Sequence, residues 1–368
     1  MPPSNPLAPV SRTGQALSLP VLSQSKGERK AVHTLSSLTP PMLRQGLRKA
    51  QASCSPQHER RTHYGANGEG AYGVVSQSLR RRLHWMHVQP SAAKEPAPVK
   101  IPITMSHGTD QIPGKRNPLT QDHFAQLVAI AHELGFQSIS YDDLAAWLRH
   151  GKSLPERPVM FDFDHPMKSM RHEVMPVLAR YGYTANLFIN TGLMDDMYRG
   201  GVPDFTEREI LLWEEAAELA EAGWQIGAHT VTHPNLSELS QEDPTGAMLR
   251  AELAQCDETI ERNLGITPRD FAFTGTSWSS SAEREVKARY RFGRLWIVGA
   301  EYQVDGRKTR YADLVGVPGA DAPDGGPPHA ARYITCDSDP YRLPSMEINA
   351  LVFAPAAFRR YLEGALET

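Results

Sequence analysis

Trp224–Leu236 reads WQIGAHTVTHPNL: a short apolar run, then two histidines four residues apart, then a proline. Trp224–Ala228 has the length and apolar content of a strand, which leaves His229 and His233 at its carboxyl end. If the chain turns helically there, positions i and i+4 aim both imidazoles to one side. An isolated pair of this kind is more often structural than ligating, so the reading needs support from elsewhere in the chain.

That support comes from the surrounding rhythm. Ile101, Ile103 and Met105 alternate as in a strand, and Phe124, Leu127, Val128, Ala131 and Leu134 recur at helical spacing up to Gly135. Strand FQSIS and helix YDDLAAWLRHG follow. Then come strand PVMFDFD, helix HEVMPVLARYG, strand YTANLFINTG, helix TEREILLWEEAAELAEAG, the opening strand itself, helix TGAMLRAELAQCDETIERNLG and strand RDFAFTG. Strands alternating with helices predict parallel β structure built from βαβ units. In such folds the chemistry sits at the carboxyl ends of the strands, where both MFDFDHP and GAHTVTH fall. No GxGxxG or GxxxxGK[ST] follows a strand, which argues against a dinucleotide or nucleoside triphosphate site.

Two strand ends therefore offer metal donors: His229 and His233 on one, Asp162 and Asp164, at i and i+2, on the other. A zinc ion with catalytic duty takes three protein ligands and leaves a position for water.

In these motifs the chain resembles the polysaccharide deacetylase family, the NodB-homology carbohydrate esterases. His229-Thr230-Val231-Thr232-His233-Pro234-Asn235-Leu236 is similar to the family's H-[ST]-x-x-H-P-x-L motif. Pro176–Gly182 and Ala185–Asn190 resemble its P-x-L-x-x-Y-G lead-in and A-T-F-F strand, IPITMSHG its opening strand, and PYRLPSMEI its closing segment. The resemblance runs from about residue 101 to the end. It implies a distorted (β/α) barrel with fewer than eight regular strands, a divalent metal, zinc foremost, and hydrolysis of a non-peptide C–N bond. The implied substrate is a carbohydrate polymer carrying N-acetylhexosamine; another small amide or ureide, or a dead site that only binds carbohydrate, are the competing readings.

The first motif departs from the family's T-F-D-D-G, reading Met160-Phe161-Asp162-Phe163-Asp164-His165-Pro166. On one registration Asp164 joins His229 and His233 as ligand and Asp162 is the catalytic carboxylate, with His165 at the rim acting on substrate. On the other, Asp164 is the base and His165 the ligand. The first is preferred, because Asp164 then supplies a hard oxygen donor. In the third motif Thr274-Gly275 replaces Pro-Tyr, so the oxyanion donor is expected near Gly275 and Thr276, and the aromatic wall from Trp278. Trp147, Trp213, Trp224 and Trp296 are expected to be core. The family's late histidine, which protonates the leaving amine, has only His329 as a weak counterpart behind residue 300, so His107 and His165 are the candidates for that duty.

Composition sets the outer limits. The 368 residues carry a formal charge of -3 and are 40% hydrophobic, which gives no global reason to expect nucleic acid or an anionic membrane as partner. Cys54, Cys256 and Cys336 lie far apart without CxxC spacing, so they read as reduced or incidental. No stretch approaches the roughly 18 apolar residues of a membrane span, and the N-terminus has no recognisable export signal. As written the chain is expected in the cytoplasm, although the resembled family is often exported. Residues 1–98, rich in Ser, Pro, Gln and Arg, are expected to be disordered, with a solvated basic run at Arg80-Arg81-Arg82 and a short helix allowed near 41–52. Residues 99–368 are expected to form the domain.

Overall fold

The computed structural model describes residues 99–109, 118–194 and 209–367; the expectations for residues 1–98, including Cys54, lie outside them. In chain order the strands are β1 (Ile101–Ser106), β2 (Gln137–Ser138), β3 (Pro158–Asp164), β4 (Asn186–Ile189), β5 (Gln225–Ala228), β6 (Asp270–Ala272), β7 (Ser277–Trp278), β8 (Phe292–Arg294), β9 (Glu301–Val304), β10 (Arg307–Arg310), β11 (Tyr333–Ile334) and β12 (Met346–Glu347). The helices are α1 (Gln121–Glu133), α2 (Tyr141–His150), α3 (Met175–Ala179), α4 (Trp213–Glu221), α5 (Leu236–Glu242), α6 (Ala247–Leu264), α7 (Ser280–Arg289), α8 (Tyr311–Leu314), α9 (Ile348–Leu351) and α10 (Pro355–Gly364).

The helices begin where short polar side chains can replace the missing intrahelical acceptors. Thr120 accepts from the His123 N–H to start α1, and Ser140 and Asp143 form a reciprocal capping box that starts α2. Helix α6 buries Leu249, Leu253, Cys256 and Ile260, a stripe at helical spacing, against the sheet. One expected helix is irregular: the segment before α3 opens with a π-turn over Met170–Val174.

The central sheet runs β11-β1-β3-β4-β5-β6-β8, with β12 also on β1 and β2 on β3. The pairs β1–β3, β3–β4, β4–β5, β5–β6, β6–β8 and β1–β12 are parallel. Every residue of β1 and β3 is buried, as expected of parallel strands covered on both faces. The sheet also curls until its ends meet. Leu343 and Met346 bridge to Arg294 and Ile297, and the Leu295 and Ile297 N–H groups donate to Leu343 O and Ser345 O at 2.8 Å, so the segment running into β12 joins β8 to β1. The expected distorted (β/α) barrel is the fold that forms.

Strand alternation then divides the barrel into layers. Met160, Asp162 and Asp164 share one face of β3, and Asn186 and Phe188 share one face of β4. Low in the barrel, Ile101, Ile103, Met160, Phe188, Ala272 and Phe292 form an apolar cluster sealed by Tyr141 and Trp147 of α2. Toward the carboxyl ends the same faces turn polar. Gly227, on β5, is there because a Cβ would come within 2.5 Å of the Phe188 ring and 3.0 Å of Asp270 O.

Candidate metal centre and catalytic site

His165 follows β3 directly, His229 follows β5, and His233 closes the loop after it. Their rings converge: centroids lie 5.3 Å apart for His165–His229, 4.8 Å for His165–His233 and 4.8 Å for His229–His233. The loop that carries His233 is not helical. His165, Thr230 and His233 have φ of 65°, 67° and 56°, a left-handed conformation uncommon in side-chain-bearing residues and most costly for a β-branched threonine. The cost is met by a tight web of contacts. Glu252 of α6 accepts from the Val231 and Thr232 N–H groups at 2.8 and 2.9 Å and from Thr232 Oγ1 at 2.7 Å, while the His233 N–H donates to Thr230 Oγ1 at 3.0 Å.

The second nitrogen of each buried ring fixes its tautomer. His229 Nδ1–H donates to Ala272 O at 2.8 Å, leaving Nε2 buried with no hydrogen-bond partner. His165 Nδ1 pairs with Asn190 Oδ1 at 2.7 Å, again leaving Nε2 as the lone-pair nitrogen. Burial lowers all three imidazoles below their ordinary range, His229 to about 4, so they are neutral donors near neutrality. One nitrogen from each of the three lies within 4.8 Å of the others, and an orphaned lone pair faces the gap. Such a set fits a divalent ion of borderline softness.

Arg294, at the end of β8, is fully buried and joins the two aspartates. It hydrogen-bonds Asp164 through a short contact, sets Nε 3.4 Å from Asp162 Oδ2, and lies 4.9 Å over the Phe188 ring. Burial pushes Asp164 upward, but the Arg294 guanidinium and the nearby imidazoles outweigh it and hold the carboxyl well below the usual carboxylate range. Asp162, one layer deeper, accepts from Tyr141 OH at 2.7 Å and Asn186 Nδ2 at 2.9 Å; burial raises it to about 7 against Arg294. Asp164 is thus the ionised member of the pair, 3.8 Å from His229 Nε2.

The family model described as polysaccharide deacetylase matches residues 151–292, which hold β3, the histidine loop and β6. This segment belongs to the polysaccharide deacetylase family. YxkH of Bacillus subtilis (strain 168), whose name as a polysaccharide deacetylase is provisional, is 26% identical over 155 residues, 42% of this chain and 51% of that protein. The chain spans about half the length of that curated relative. Among solved structures, the Streptococcus pyogenes deacetylase PplD in complex with acetate has a similar fold, with a TM-score of 0.52 at 18% identity over 74% of this chain and 100% of that one. IcaB from Ammonifex degensii gives 0.51 at 16% identity over 73% and 98%.

The remaining residues expected at the site are placed unevenly. Gly275 and Thr276 line a cavity of about 150 Å³ beside His233, with Asn235, Thr274 and Gln303. Gly275 takes φ 60°, so the turn depends on a residue without a side chain. Trp278, the expected aromatic wall, is packed in the core: it is 5% exposed, donates to Glu283 at 3.0 Å and lies under the Arg342 guanidinium. Trp296, expected in the core, is half-buried beside the site instead, its ring roughly perpendicular to that of His107 with centroids 5.4 Å apart. His107 follows β1 and stacks on His165 at 5.0 Å, while His329 is exposed on a 3-10 turn. Two residues escaped the sequence reading. Arg294 had no motif of its own, and Glu347, at the end of β12, was the last but one residue of the closing segment PYRLPSMEI. Burial raises the Glu347 carboxyl to about 7 despite N–H donors from Asn349 and Trp296.

Among the described residues no helix is long and apolar enough to cross a membrane. Cys256 is buried and Cys336 exposed, both free.

Proposed function

We propose that the protein is a metal-dependent hydrolase that removes the acetyl group from N-acetylhexosamine units of a carbohydrate polymer. The observation that carries this reading is the convergence of His165, His229 and His233, three neutral imidazoles beside an ionised Asp164, in a deacetylase-family barrel. The three histidines would hold the ion, with zinc the best match to the donor set. This assignment follows the registration in which Asp164 is the base and His165 the ligand, because Asp162 sits a layer deeper and is already committed to Tyr141 and Asn186.

When bound, the metal polarises the acyl oxygen and lowers the pKa of a water toward ~7. Asp164, kept ionised by Arg294, accepts that water's proton as the water attacks. The Thr274–Thr276 turn lines the cavity beside His233, and its backbone N–H groups would stabilise the developing oxyanion. His107, 29% exposed and stacked on His165 at 5.0 Å, is available to the leaving nitrogen.

The test is metal analysis of the purified chain with acetate release from chitin oligomers. About one zinc per chain, lost in His165→Ala and His233→Ala together with acetate release, supports the reading. Metal without acetate release would move the assignment to another amide, and absence of metal would end it.

A further inference from the structure

Two of the three imidazoles ride on a loop that no regular element fixes: β5 has ended at Ala228, and α5 starts at Leu236. The loop is held by its peptide groups instead. Thr230 O accepts from the Thr191 N–H at 3.1 Å, and Val231 O from the Gly192 N–H at 3.0 Å. The opposite ends of the same peptide planes, the Val231 and Thr232 N–H groups, both donate to Glu252 Oε2, at 2.8 and 2.9 Å. Glu252 Oε1 takes the Thr232 hydroxyl at 2.7 Å. A peptide plane bonded on both sides cannot rotate without losing both bonds. Successive N–H groups in such a turn form a concavity that binds an anion, and here the anion is part of the chain. The helix that carries Glu252 is itself seated beside the loop, since Cys256, one turn further along α6, donates to Ile189 O at 3.5 Å. Thr191 and Gly192 contribute backbone groups to this arrangement, whereas Glu252 contributes a side chain, so its share can be removed by substitution.

We propose that Glu252 is a positioning residue for the metal: by filling the concavity at Val231 and Thr232 it holds His233 against His229 and so sets the affinity of the site. This rests on the metal-dependent reading above. His229 has an anchor of its own, because Nδ1–H donates to Ala272 O at 2.8 Å. His233 has the loop, and the pinned planes lie between the two rings. Without the carboxylate the ion itself must order the loop before His233 can reach it. That ordering cost is subtracted from binding, as it is whenever the competent conformation is a fraction of those populated.

The experiment titrates the metal-free full chain with zinc against a chromogenic chelator, comparing the parent with Glu252→Ala and Ile260→Val. Alanine favours a helix, and Glu252 is half-buried, so α6 should form in the first variant. Ile260 is buried about two turns further along the same helix, and its substitution loosens α6 without removing a contact to the loop. Glu252→Ala is expected to raise the zinc dissociation constant at least about 10-fold, the low end for a lost partner of a ligand set. The loss should persist in about 0.5 M salt, where the field of a missing charge is screened. Ile260→Val should lower the unfolding midpoint and keep the constant within about 3-fold of the parent's. Parental affinity in Glu252→Ala, a loss that salt abolishes, or an equal loss in Ile260→Val would overturn the proposal and leave the metal-dependent reading intact. A parent that takes up no zinc would overturn both.

Discussion

The phenol of Tyr141, on the helix that seals the barrel, donates to Asp162 Oδ2 at 2.7 Å. Both partners are buried, so the bond cannot be replaced by water without rearrangement. Tyr141→Phe deletes one donor and leaves a buried carboxylate oxygen short of a partner, a change that costs about 1–3 kcal/mol. Urea unfolding should show that loss with an unchanged slope, and metal content should stay at the parent's value. An unchanged midpoint would mean that Asp162 finds its second donor elsewhere.

Asp164 and Asp162 make a more decisive pair. Asp164→Asn is expected to keep the metal and lose acetate release by at least about 100-fold, because the acceptor for water's proton is gone. Asp162→Asn is expected to weaken the fold more than the chemistry. If Asp164→Asn instead loses the metal, Asp164 is a ligand and the Asp-His-His registration is the right one.

Gly227→Ala tests how closely the site is packed from below. The new methyl would meet Phe188 at 2.5 Å, and that ring lies under Arg294. Overpacking of this kind costs about 1–3 kcal/mol. Thermal unfolding should report the loss, and acetate release should fall as well because the Arg294–Asp164 pair moves with the ring. Full activity in a destabilised variant would show that the two are not mechanically linked.

Asp257, on α6, gives a pH signature of its own. Burial raises its carboxyl to about 6 from an ordinary 3.8, against the Tyr290 hydroxyl at 2.8 Å and Arg289. Between those values the folded chain holds a proton that the unfolded chain has lost. Stability from this group is therefore full below about pH 4 and falls as pH rises to about 6. The shift corresponds to at most about 3 kcal/mol. The difference in unfolding free energy between parent and Asp257→Asn should drift by that order across the window, and a flat difference would refute the assignment.

Much of the barrel could be read locally. Strand and helix periods in Ile101–Met105, Phe124–Leu134 and Pro158–Asp164 depend on nearest neighbours, and the motif histidines fall at strand ends because that is where parallel strands stop. The misread residues share a different property. Trp278 is three residues past Gly275, and the turn there decides which face the next side chains meet; the sequence alone does not fix it. Arg294 is 130 residues from Asp164, and Glu347 is 240 from His107, so their roles exist only once the sheet has curled shut. A helical turn was one way for the histidine loop to aim both rings to one side, whereas Glu252 and the left-handed Thr230 bring the rings together without a helix.

The seam of that barrel also sets an order of events. Tyr361, on α10, accepts from the Ile103 N–H at 2.9 Å across 258 residues, and the strand that completes the sheet is β12, near the end of the chain. Contacts so distant make folding slow, because loop closure must precede the stabilising contacts. During synthesis the first strand therefore stays unpaired on one side until residues 346–347 have left the ribosome. A polypeptide stopped short of residue 347 would carry all three histidines with no closed barrel to hold them.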